Sequence, residues 1–437
     1  MFKICMVGTG YVGLVSGACL ADFGNRVICV DIDEARLASI RSGVMPIYEP
    51  GLKELVARNH SAGRLIFTTD LEGAVEDSLA IFSAVGTPER EDGSCDLSAV
   101  YQVAKDVASH MNGYKVFVQK STVPVGTSER VGEIMHENLV QRVEFDRVSN
   151  PEFLREGSAI EDFMRPNRIV IGVENERARE VMREIYRPLY LLETPIVFTT
   201  IRTAELIKYA SNAFLATKIS FINEIAELCE NVGADVDEVA KAMGLDRRVG
   251  PKFLHAGIGY GGSCLPKDVA AILRTAEEAG VPLRIITAAA EVNRALMDRL
   301  MDKMRAELPV LAGTTLAVVG LSFKPNTDDV RESPAVRCID RLLAAGARVR
   351  AYDPVALDNV RRIFGERICY CEDSYAAASG ADALIIMAEW NEFRVLDLDR
   401  IRNLLHNPIV FDCRNIYQPE TMEKMGFRYH SFGRTKR

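Results

Sequence analysis

The chain has 437 residues, too many for one compact core, so two or three domains are expected. Apolar residues make up 48% of the sequence and charged residues 26%, which is the composition of an ordinary soluble globular protein. The net charge of -8, with no basic block before the last few residues, argues against nucleic acid as a partner.

The ten cysteines are scattered and form no CxxC pair, so no metal site is indicated and reduced thiols in the cytoplasm are expected. Residues 1–3 run directly into a strand-like segment, without the charged and apolar stretches of a signal peptide. No apolar run approaches the roughly 18 residues that a membrane span needs. We therefore expect no membrane partner.

Short apolar runs alternate with helical patterns through the first part of the chain. This alternation predicts βαβ units and a doubly wound parallel sheet. We assign the resulting α/β domain to residues 1–199. The predicted strands are Ile4–Val7, Arg26–Val30, Ala80–Val85 and Lys115–Gln119, with two more between Val148 and Val173.

The pattern changes near Thr203. From Thr203 to Asn231 there is no Gly or Pro, which predicts one long helix with Thr203 as its N-cap and Gly233 as its terminator. Further helical segments extend to about Glu307, so residues 200–308 are expected to form an all-helical domain. A long helix of this kind buries one face against either a partner subunit or its own chain, and the pattern leaves both open.

A second βα alternation follows the linker-like segment Pro309–Gly313. We assign it to a third, α/β domain over residues 309–437. Its predicted strands are Thr315–Val319, Arg348–Tyr352, Ala383–Met387 and Ile409–Phe411.

The first strand ends in a GxGxxG loop made by Gly8, Gly10 and Gly13, and a helix follows. The glycines permit a tight turn and the close approach of a pyrophosphate to a helix N-terminus. Asp31 ends the second strand about 20 residues on, where a carboxylate accepts hydrogen bonds from a ribose and repels a 2′-phosphate. The loop therefore predicts a dinucleotide site that favours NAD, although the nearby Arg36 weakens the case against NADP.

A Gly-rich loop, Gly259–Gly262, delivers Cys264 to the start of a helical pattern. The helix dipole favours a thiolate at such a position. Asp268 lies four residues on and shares the face of Cys264, while Lys267 offsets the repulsion between carboxylate and thiolate. A buried, inert cysteine is the alternative interpretation.

The combination of a dinucleotide site and a poised cysteine has a chemical meaning. Oxidising an alcohol to an acid removes two hydrides, and the intermediate aldehyde must be held between them. A thiolate holds it as a thiohemiacetal, which loses the second hydride to become a thioester that water hydrolyses. We therefore predict Cys264 as the nucleophile of a four-electron dehydrogenase.

Weaker signals support a ligand site. Lys208 and Asn212 share one face of the long helix, and Glu152 and Glu156 follow a predicted strand four residues apart. Thr87 and Thr122 lie at the carboxyl ends of predicted strands, where α/β sheets bind ligands. The loop after the first strand of the third domain lacks the three glycines and suits a single nucleotide diphosphate, with Lys324 as a phosphate partner. Arg331 and Arg414 are further candidates.

Together these features resemble the UDP-glucose/GDP-mannose dehydrogenase family, and within it the bacterial UDP-glucose branch. The resemblance covers essentially the whole chain. It implies two Rossmann-like doubly wound domains joined by a central helical domain that forms a homodimer. The motifs that carry it are Gly8–Gly13, Ile47–Leu52, Asn150–Phe163, the helix with Lys208 and Asn212, Pro251–Asp268 and Ser322–Ala335.

The resemblance also implies roles for individual residues. Lys208 would stabilise the oxyanion, and Asp268 with Thr122 would position a water and transfer protons. Glu152 would serve thioester hydrolysis, and Asn212 would hold the substrate. The implied NAD contacts are Gly8, Gly10, Val12, Gly13, Asp31, Arg36, Thr87, Thr122, Glu156, Lys267 and Arg331. The implied nucleotide-sugar contacts are Glu152, Phe153, Leu154, Arg155, Glu156, Lys208, Asn212, Phe253, Leu254, His255, Ala256, Gly257, Gly261, Lys324 and Arg414, with Arg248 reaching the substrate of the neighbouring subunit.

Two positions depart from the family pattern. Leu265 stands where UDP-glucose enzymes often have Phe and the GDP-mannose branch often has Leu, and Asn167 stands where Asp is usual. Lys267 argues against the UDP-N-acetylmannosamine enzymes. The expected reaction is the NAD-dependent oxidation of UDP-glucose to UDP-glucuronate for polysaccharide synthesis. The alternatives are GDP-mannose or another nucleotide-hexose as substrate, or a non-catalytic nucleotide-binding regulator.

Overall fold

The computed structural model describes residues 2–434, and the chain forms two compact units. The first unit runs to Ser211 and also includes Ala270–Ala279. The second comprises Asn212–Val269 and the chain from Gly280 onward. Among residues 2–434, no helix is both long enough and apolar enough to span a membrane, and no group of three His, Cys, Asp or Glu side chains could hold a metal ion.

An eight-stranded sheet organises the first unit. The strands are β1 (Lys3–Val7), β2 (Arg26–Val30), β3 (Leu65–Thr68), β4 (Ala80–Ser83), β5 (Lys115–Gln119), β6 (Phe145–Ser149), β7 (Ile169–Val173) and β8 (Ile196–Thr199). The strand order is β3-β2-β1-β4-β5-β6-β7-β8, and neighbouring strands are parallel except for the antiparallel pair β6 and β7. The doubly wound sheet is confirmed, and the four strands that were predicted to be parallel, β1, β2, β4 and β5, pair in parallel.

Both faces of this sheet are buried, since successive side chains along a strand point to opposite sides. In β1, Ile4 and Met6 pack into one apolar cluster, while Cys5 and Val7 pack into another. Helices cover both faces. They are α1 (Tyr11–Asp22), α2 (Glu34–Arg41), α3 (Leu52–Ser61), α4 (Leu71–Asp77), α5 (Ser98–Ser109), α6 (Thr127–Asn138), α7 (Ala159–Met164), α8 (Glu176–Ile185) and α9 (Arg187–Tyr190).

The long helix α10 (Ile201–Val232) is confirmed, but it begins two residues before the predicted N-cap. Thr200 caps it instead, because its Oγ1 accepts a hydrogen bond from the backbone nitrogen of Thr203 at 3.3 Å. Gly233 ends the helix with a φ of +76°, as predicted. The remaining helices of the central region are α11 (Val236–Leu245), α12 (Leu265–Glu278) and α13 (Arg284–Glu307).

A six-stranded parallel sheet organises the second unit. The strands are β9 (Thr315–Val319), β10 (Arg348–Tyr352), β11 (Cys369–Tyr370), β12 (Ala383–Ile386), β13 (Ile409–Asp412) and β14 (Arg428–His430). Their order is β11-β10-β9-β12-β13-β14. The four strands predicted here are all present, within one residue at each end. The helices around them are α14 (Pro334–Ala344), α15 (Leu357–Phe364), α16 (Ser374–Ala378), α17 (Asn391–Arg394), α18 (Leu398–Leu404) and α19 (Pro419–Lys424), with a 3-10 turn at Gly365–Arg367.

Candidate active site

The loop between β1 and α1 has the backbone shape of a pyrophosphate site. Gly8 has a φ of +96°, and a Cβ there would lie 2.8 Å from the carbonyl oxygen of Ala84. A Cβ at Gly13, in the first turn of α1, would lie 1.9 Å from the Gly8 oxygen, so both positions require glycine. At Gly10 a Cβ would meet nothing within 4 Å, which leaves the backbone open at the N-terminus of α1.

Asp31 joins this loop to the end of β2. Its Oδ2 accepts hydrogen bonds from the backbone nitrogen and the hydroxyl of Thr9 at 2.7 and 2.6 Å, and its Oδ1 accepts one from the Asp33 nitrogen. Burial raises the pKa of the Asp31 carboxyl. These hydrogen bonds and the nearby Arg36 together lower it by more than burial raises it, so its pKa lies below the ordinary value. The carboxylate is therefore ionised, as the predicted ribose contact requires.

Thr87 and Thr122 come together at the carboxyl ends of the neighbouring strands β4 and β5. The Thr87 hydroxyl donates to the Thr122 carbonyl at 3.0 Å. The Ser121 hydroxyl donates to the Val85 carbonyl at 2.7 Å and joins the same two loops. These bonds join the loops after β4 and β5 into one rim at the carboxyl edge of the sheet, where α/β sheets bind ligands.

Glu152 and Lys208 form a buried ion pair in the first unit. The Lys208 Nζ lies 2.9 Å from the Glu152 Oε1, and the two side chains are 4% and 6% exposed. Burial raises the pKa of the Glu152 carboxyl, but the Lys208 ammonium, the hydrogen bond from the Leu154 nitrogen and the Lys120 charge together lower it more, so its pKa lies below the ordinary value. The Lys208 ammonium also lies over the Phe153 ring, 5.4 Å from its centroid.

The loop that follows Glu152 is anchored by a residue that sequence reasoning left without a role. The buried Glu49 accepts hydrogen bonds from the backbone nitrogens of Gly157 and Ala159 at 2.6 and 2.8 Å, and from the hydroxyl of Tyr11. Glu49 lies in the Ile47–Leu52 motif, which was noted only for its family resemblance. Its contacts show that this motif holds the loop and caps α7.

Cys264 lies at the N-terminus of α12, as predicted. Its carbonyl accepts the first hydrogen bond of the helix, from the Asp268 nitrogen at 2.9 Å. The Ser263 hydroxyl lies 3.6 Å from its sulfur. Eight of the ten cysteines are buried and Cys264 is half-buried; burial raises the pKa of Cys29 and Cys338, for example, to about 12. Its accessibility separates Cys264 from these inert thiols.

Asp268 is held from two sides within the second unit. Its side chain is 1% exposed, its Oδ2 accepts a hydrogen bond from the Asn212 Nδ2 at 2.6 Å, and its Oδ1 lies 2.7 Å from the Lys267 ammonium. The predicted charge compensation by Lys267 is therefore a direct ion pair. Cys264, Asp268, Lys267 and Asn212 form one cluster in which the carboxylate orientation is fixed.

The glycines before Cys264 are required by packing. A Cβ at Gly261 would lie 2.2 Å from the Glu332 oxygen, and one at Gly262 would lie 2.7 Å from the Phe323 ring. Gly262 also has a φ of +84° and donates its N–H to the Arg331 carbonyl at 3.1 Å. The loop is thus seated on the segment after β9.

The predicted substrate segment 253–257 alternates in exposure. Leu254 and Ala256 are buried in an apolar cluster with Ile222 of α10, so their side chains serve packing and a substrate would meet only their backbone. Phe253, with a φ of +66°, is half-buried, and His255 is exposed. These two side chains remain candidates for substrate contacts.

The charged candidates that remain differ in their contacts and exposure. The Arg414 guanidinium donates to the carbonyls of Met387, Gly259 and Phe323 at 2.9 to 3.1 Å, so it supports the backbone around the site. Arg331 is exposed and pairs with Asp329. The remaining candidates are Lys324, whose ammonium lies over the Phe323 ring, the buried Glu156, and the exposed Arg155 and Arg248, which pair with Asp162 and Asp246.

Sequence reasoning missed a second buried polar cluster in the first unit. Lys120 follows β5 directly, and its Nζ donates to the Asn150 Oδ1 at 3.1 Å. The Tyr186 hydroxyl donates to the same oxygen at 2.6 Å. A lysine directly after a wholly buried strand was the available signal, but its partners lie 30 or more residues away and no local pattern gives them.

Three family models match the chain in succession. The NAD binding domain of the UDP-glucose/GDP-mannose dehydrogenase family matches residues 2–190, the central domain of that family matches 202–295, and its UDP binding domain matches 317–419.

Known proteins resemble the chain over nearly its full length. It is 54% identical to the UDP-glucose 6-dehydrogenase of Rhizobium meliloti (strain 1021), with 99% of each chain covered. It is 49% identical to UDP-glucose 6-dehydrogenase TuaD of Bacillus subtilis (strain 168), covering 99% of this chain and 94% of that one. The structure of a UDP-glucose dehydrogenase from Pyrobaculum islandicum superposes with a TM-score of 0.92 at 39% identity, covering 98% and 97% of the two chains.

Proposed function

Because the chain belongs to the UDP-glucose/GDP-mannose dehydrogenase family, we propose that it is an NAD-dependent UDP-glucose 6-dehydrogenase. The reaction converts UDP-glucose, two NAD⁺ and water into UDP-glucuronate, two NADH and three protons. Two observations support it: the dinucleotide loop of the first unit and the accessible Cys264 at the N-terminus of α12.

NAD fits the residues of the first unit. The open backbone at Gly10 and the N-terminus of α1 would hold its pyrophosphate, and the ionised Asp31 would accept hydrogen bonds from its ribose. The same carboxylate would repel a 2′-phosphate, which favours NAD over NADP. When bound, NAD accepts a hydride in each of the two oxidations. The rim with Thr87 and Thr122 is the further contact that we assign to it.

Cys264 carries the covalent part of the reaction. The C6 alcohol loses a hydride and a proton to become an aldehyde. The Cys264 thiolate then adds to the aldehyde carbon and forms a C–S bond. The resulting thiohemiacetal loses the second hydride and becomes a thioester. Water attacks its carbonyl carbon, the C–S bond breaks, and the acid leaves while the thiolate is restored.

The polar side chains around these steps have distinct tasks. Lys208 would stabilise the oxyanion with its buried ammonium. Glu152, ionised and paired with Lys208, would accept a proton from the hydrolytic water. Asp268, which Asn212 and Lys267 hold in place, would take part in proton transfer with Thr122. Asn212 would also hold the substrate.

The placement of Cys264 is the observation that carries the proposal, and a stoichiometric assay tests it. Purified protein is mixed with limiting UDP-glucose and excess NAD⁺, and NADH is followed by absorbance. We expect two NADH per sugar. No NADH, or one per sugar, would overturn the proposal. Cys264→Ser should stall turnover, because an oxygen ester replaces the readily hydrolysed thioester; normal turnover in this variant would exclude the covalent scheme.

GDP-mannose is the second candidate substrate, and Leu265 is the residue that favours it. The same assay with GDP-mannose and other nucleotide-hexoses separates the two candidates. The UDP-glucose activity of the relatives that match 99% of this chain supports UDP-glucose as the preferred substrate.

The protein is proposed to act as a homodimer through the central helices. Large apolar side chains of α10 are exposed at seven-residue spacing, namely Phe214 (65% exposed), Phe221 (44%) and Leu228 (55%), and seven residues are about two helical turns. The exposed Arg248 would reach the substrate of the partner. We propose domains at 1–199, 200–308 and 309–437, and a cytoplasmic location, since all ten cysteines are free thiols.

A further inference from the structure

Lys120 is a buried lysine beside the proposed hydrolytic carboxylate. It is 5% exposed, and its ammonium donates to the Asn150 Oδ1 and lies 5.9 Å from the centroid of the Phe163 ring. Its charge interacts with those of Glu152 and Lys208. A buried ammonium is expensive, typically several kcal/mol, unless other groups compensate it.

Asn150 connects Lys120 to the Glu152 backbone. Its Oδ1 accepts from Lys120 and Tyr186, and its Nδ2 donates to the Val170 carbonyl at 2.9 Å. Asn150 is 1% exposed, so these bonds fix its position completely within the fold. Glu152 follows two residues later, and the same bonds therefore fix where its backbone starts.

A second buried lysine, at the start of β5, shows what a structural lysine looks like. Lys115 is also 5% exposed, and its ammonium donates to the carbonyls of Glu76 and Ser78 at 3.0 and 2.6 Å. Its contacts are to backbone at the far end of β5. Lys120 differs because its charge acts on the Glu152 carboxylate.

We propose that Lys120 is a positioning residue that keeps Glu152 ionised and in place while Lys208 serves the substrate oxygen. The proposal rests on the UDP-glucose 6-dehydrogenase function. When the Lys208 ammonium turns to the developing oxyanion, Glu152 shares its one close counter-charge with the substrate. Lys120, whose ammonium is held by Asn150, supplies a second positive charge to Glu152, so the carboxylate stays available as a base for the hydrolytic water.

The space around the two side chains suits this task. A cavity of about 50 Å³ adjoins Lys120 and Glu152, which is enough for water. Its floor is buried and its rim reaches the exposed Asn167. Burial lowers the pKa of the Lys120 ammonium to about 8, so it is charged at neutral pH. The charged or titratable groups that face Lys120 or line the cavity are Glu152, Asp162, Arg168, Tyr186 and Lys208.

The experiment measures thioester hydrolysis as a function of pH. Enzyme, UDP-glucose and excess NAD⁺ are mixed and quenched in acid, and intact-mass spectrometry gives the fraction of chains that carry the acyl group. In Lys120→Met the Glu152 pKa rises, so the acid limb of the hydrolysis rate should move up by about one pH unit or more. The acylated chain should accumulate during turnover. Lys115→Met is the matched control and should leave the limb in place.

Two further variants separate charge from packing. Lys120→Gln still donates to Asn150 but lacks the charge, and should shift the acid limb as Lys120→Met does. Lys120→Arg keeps the charge and should leave the limb near its wild-type pH. The proposal would be overturned if the acid limb of the hydrolysis rate were unshifted in both Lys120→Gln and Lys120→Met. If Lys120→Met does not fold, an unshifted acid limb in Lys120→Gln is sufficient to overturn it. A wild-type enzyme that forms no NADH from UDP-glucose would instead overturn the proposed function.

Discussion

Lys208→Met should strongly destabilise the first unit, because it leaves the buried Glu152 carboxylate without its closest counter-charge. At the observed 2.9 Å and an effective dielectric constant of about 20, the two charges attract by about 6 kcal/mol. Desolvation offsets much of this, and removal of one partner from a buried pair typically costs about 3–5 kcal/mol. Lys120 also supplies positive charge to Glu152, so we expect a loss near the lower end, about 3 kcal/mol.

A double-mutant cycle isolates the pair from the packing of the lysine stem. Lys208→Met, Glu152→Gln and the double variant are unfolded in urea, and the free energy of unfolding is measured for each. Far-UV circular dichroism follows the unfolding of both units, and the fluorescence of Trp390, which lies in the second unit, shows whether that unit unfolds in a separate step. The double variant should be more stable than the sum of the single losses predicts, by about 2–3 kcal/mol, since it contains no unpaired buried charge.

The pH dependence of stability gives an independent check. The pKa of Glu152 lies below its unfolded value of 4.5, so the pair contributes stability above pH 4.5 that is lost as pH falls through the folded pKa. In Lys208→Met the folded pKa rises, and acid should no longer remove this contribution. A coupling below about 0.5 kcal/mol, or an acid dependence identical to wild type, would refute the reasoning.

Two further predictions concern the cofactor and the assembly. Asp31→Ala should raise the KM for NAD⁺ about tenfold or more, with a smaller change in kcat, because hydrogen bonds to a charged group are lost. Steady-state kinetics with NAD⁺ and NADP⁺ test this prediction. An unchanged KM for NAD⁺ would show that Asp31 does not contact the cofactor. Phe221→Asp should dissociate the proposed dimer, because it would bury a carboxylate in the apolar face of α10. Light scattering after size-exclusion chromatography measures the mass, with Lys241→Asp on the exposed surface of α11 as the control. An unchanged mass in Phe221→Asp would place the dimer contact elsewhere.

Local patterns were sufficient for much of the fold. The runs Arg26–Val30 and Lys115–Gln119 match strands β2 and β5 residue for residue, because the central residues of parallel strands buried on both faces are continuously apolar. The helix terminator Gly233 and the position of Cys264 before α12 were also readable, since both depend on residues within one helical turn.

Strands with a weaker signal could not be predicted from the sequence. Leu65–Thr68 and Ile196–Thr199 are four-residue strands at the two edges of the first sheet. Two of the four residues are only partly buried in the first strand, and all four are partly buried or exposed in the second. The reversal between β6 and β7 depends on how the loop with Glu152 and helix α7 return the chain to the sheet. Contacts such as Glu49 with Ala159, 110 residues apart, were equally beyond local patterns.

Two aspartates in equivalent places of the two sheets differ in a way that matches their proposed ligands. Asp31 follows β2 and Asp353 follows β10, and each accepts hydrogen bonds from the loop after the neighbouring first strand. Asp353 is 1% exposed: its Oδ2 accepts from Leu321 and Ser322, and its Oδ1 from the nitrogens of Val355 and Ala356.

Such a carboxylate has its lone pairs filled by the protein and serves to shape the loop. The Oδ1 of Asp31, in contrast, accepts a single hydrogen bond, from the Asp33 nitrogen, among those formed by residues 2–434, and its side chain is 9% exposed. It therefore retains acceptor capacity for a ribose. The aspartate after the second strand of the first sheet can therefore bind a dinucleotide. The aspartate at the equivalent position of the second sheet supports a loop without the three glycines, as expected for a UDP binding domain.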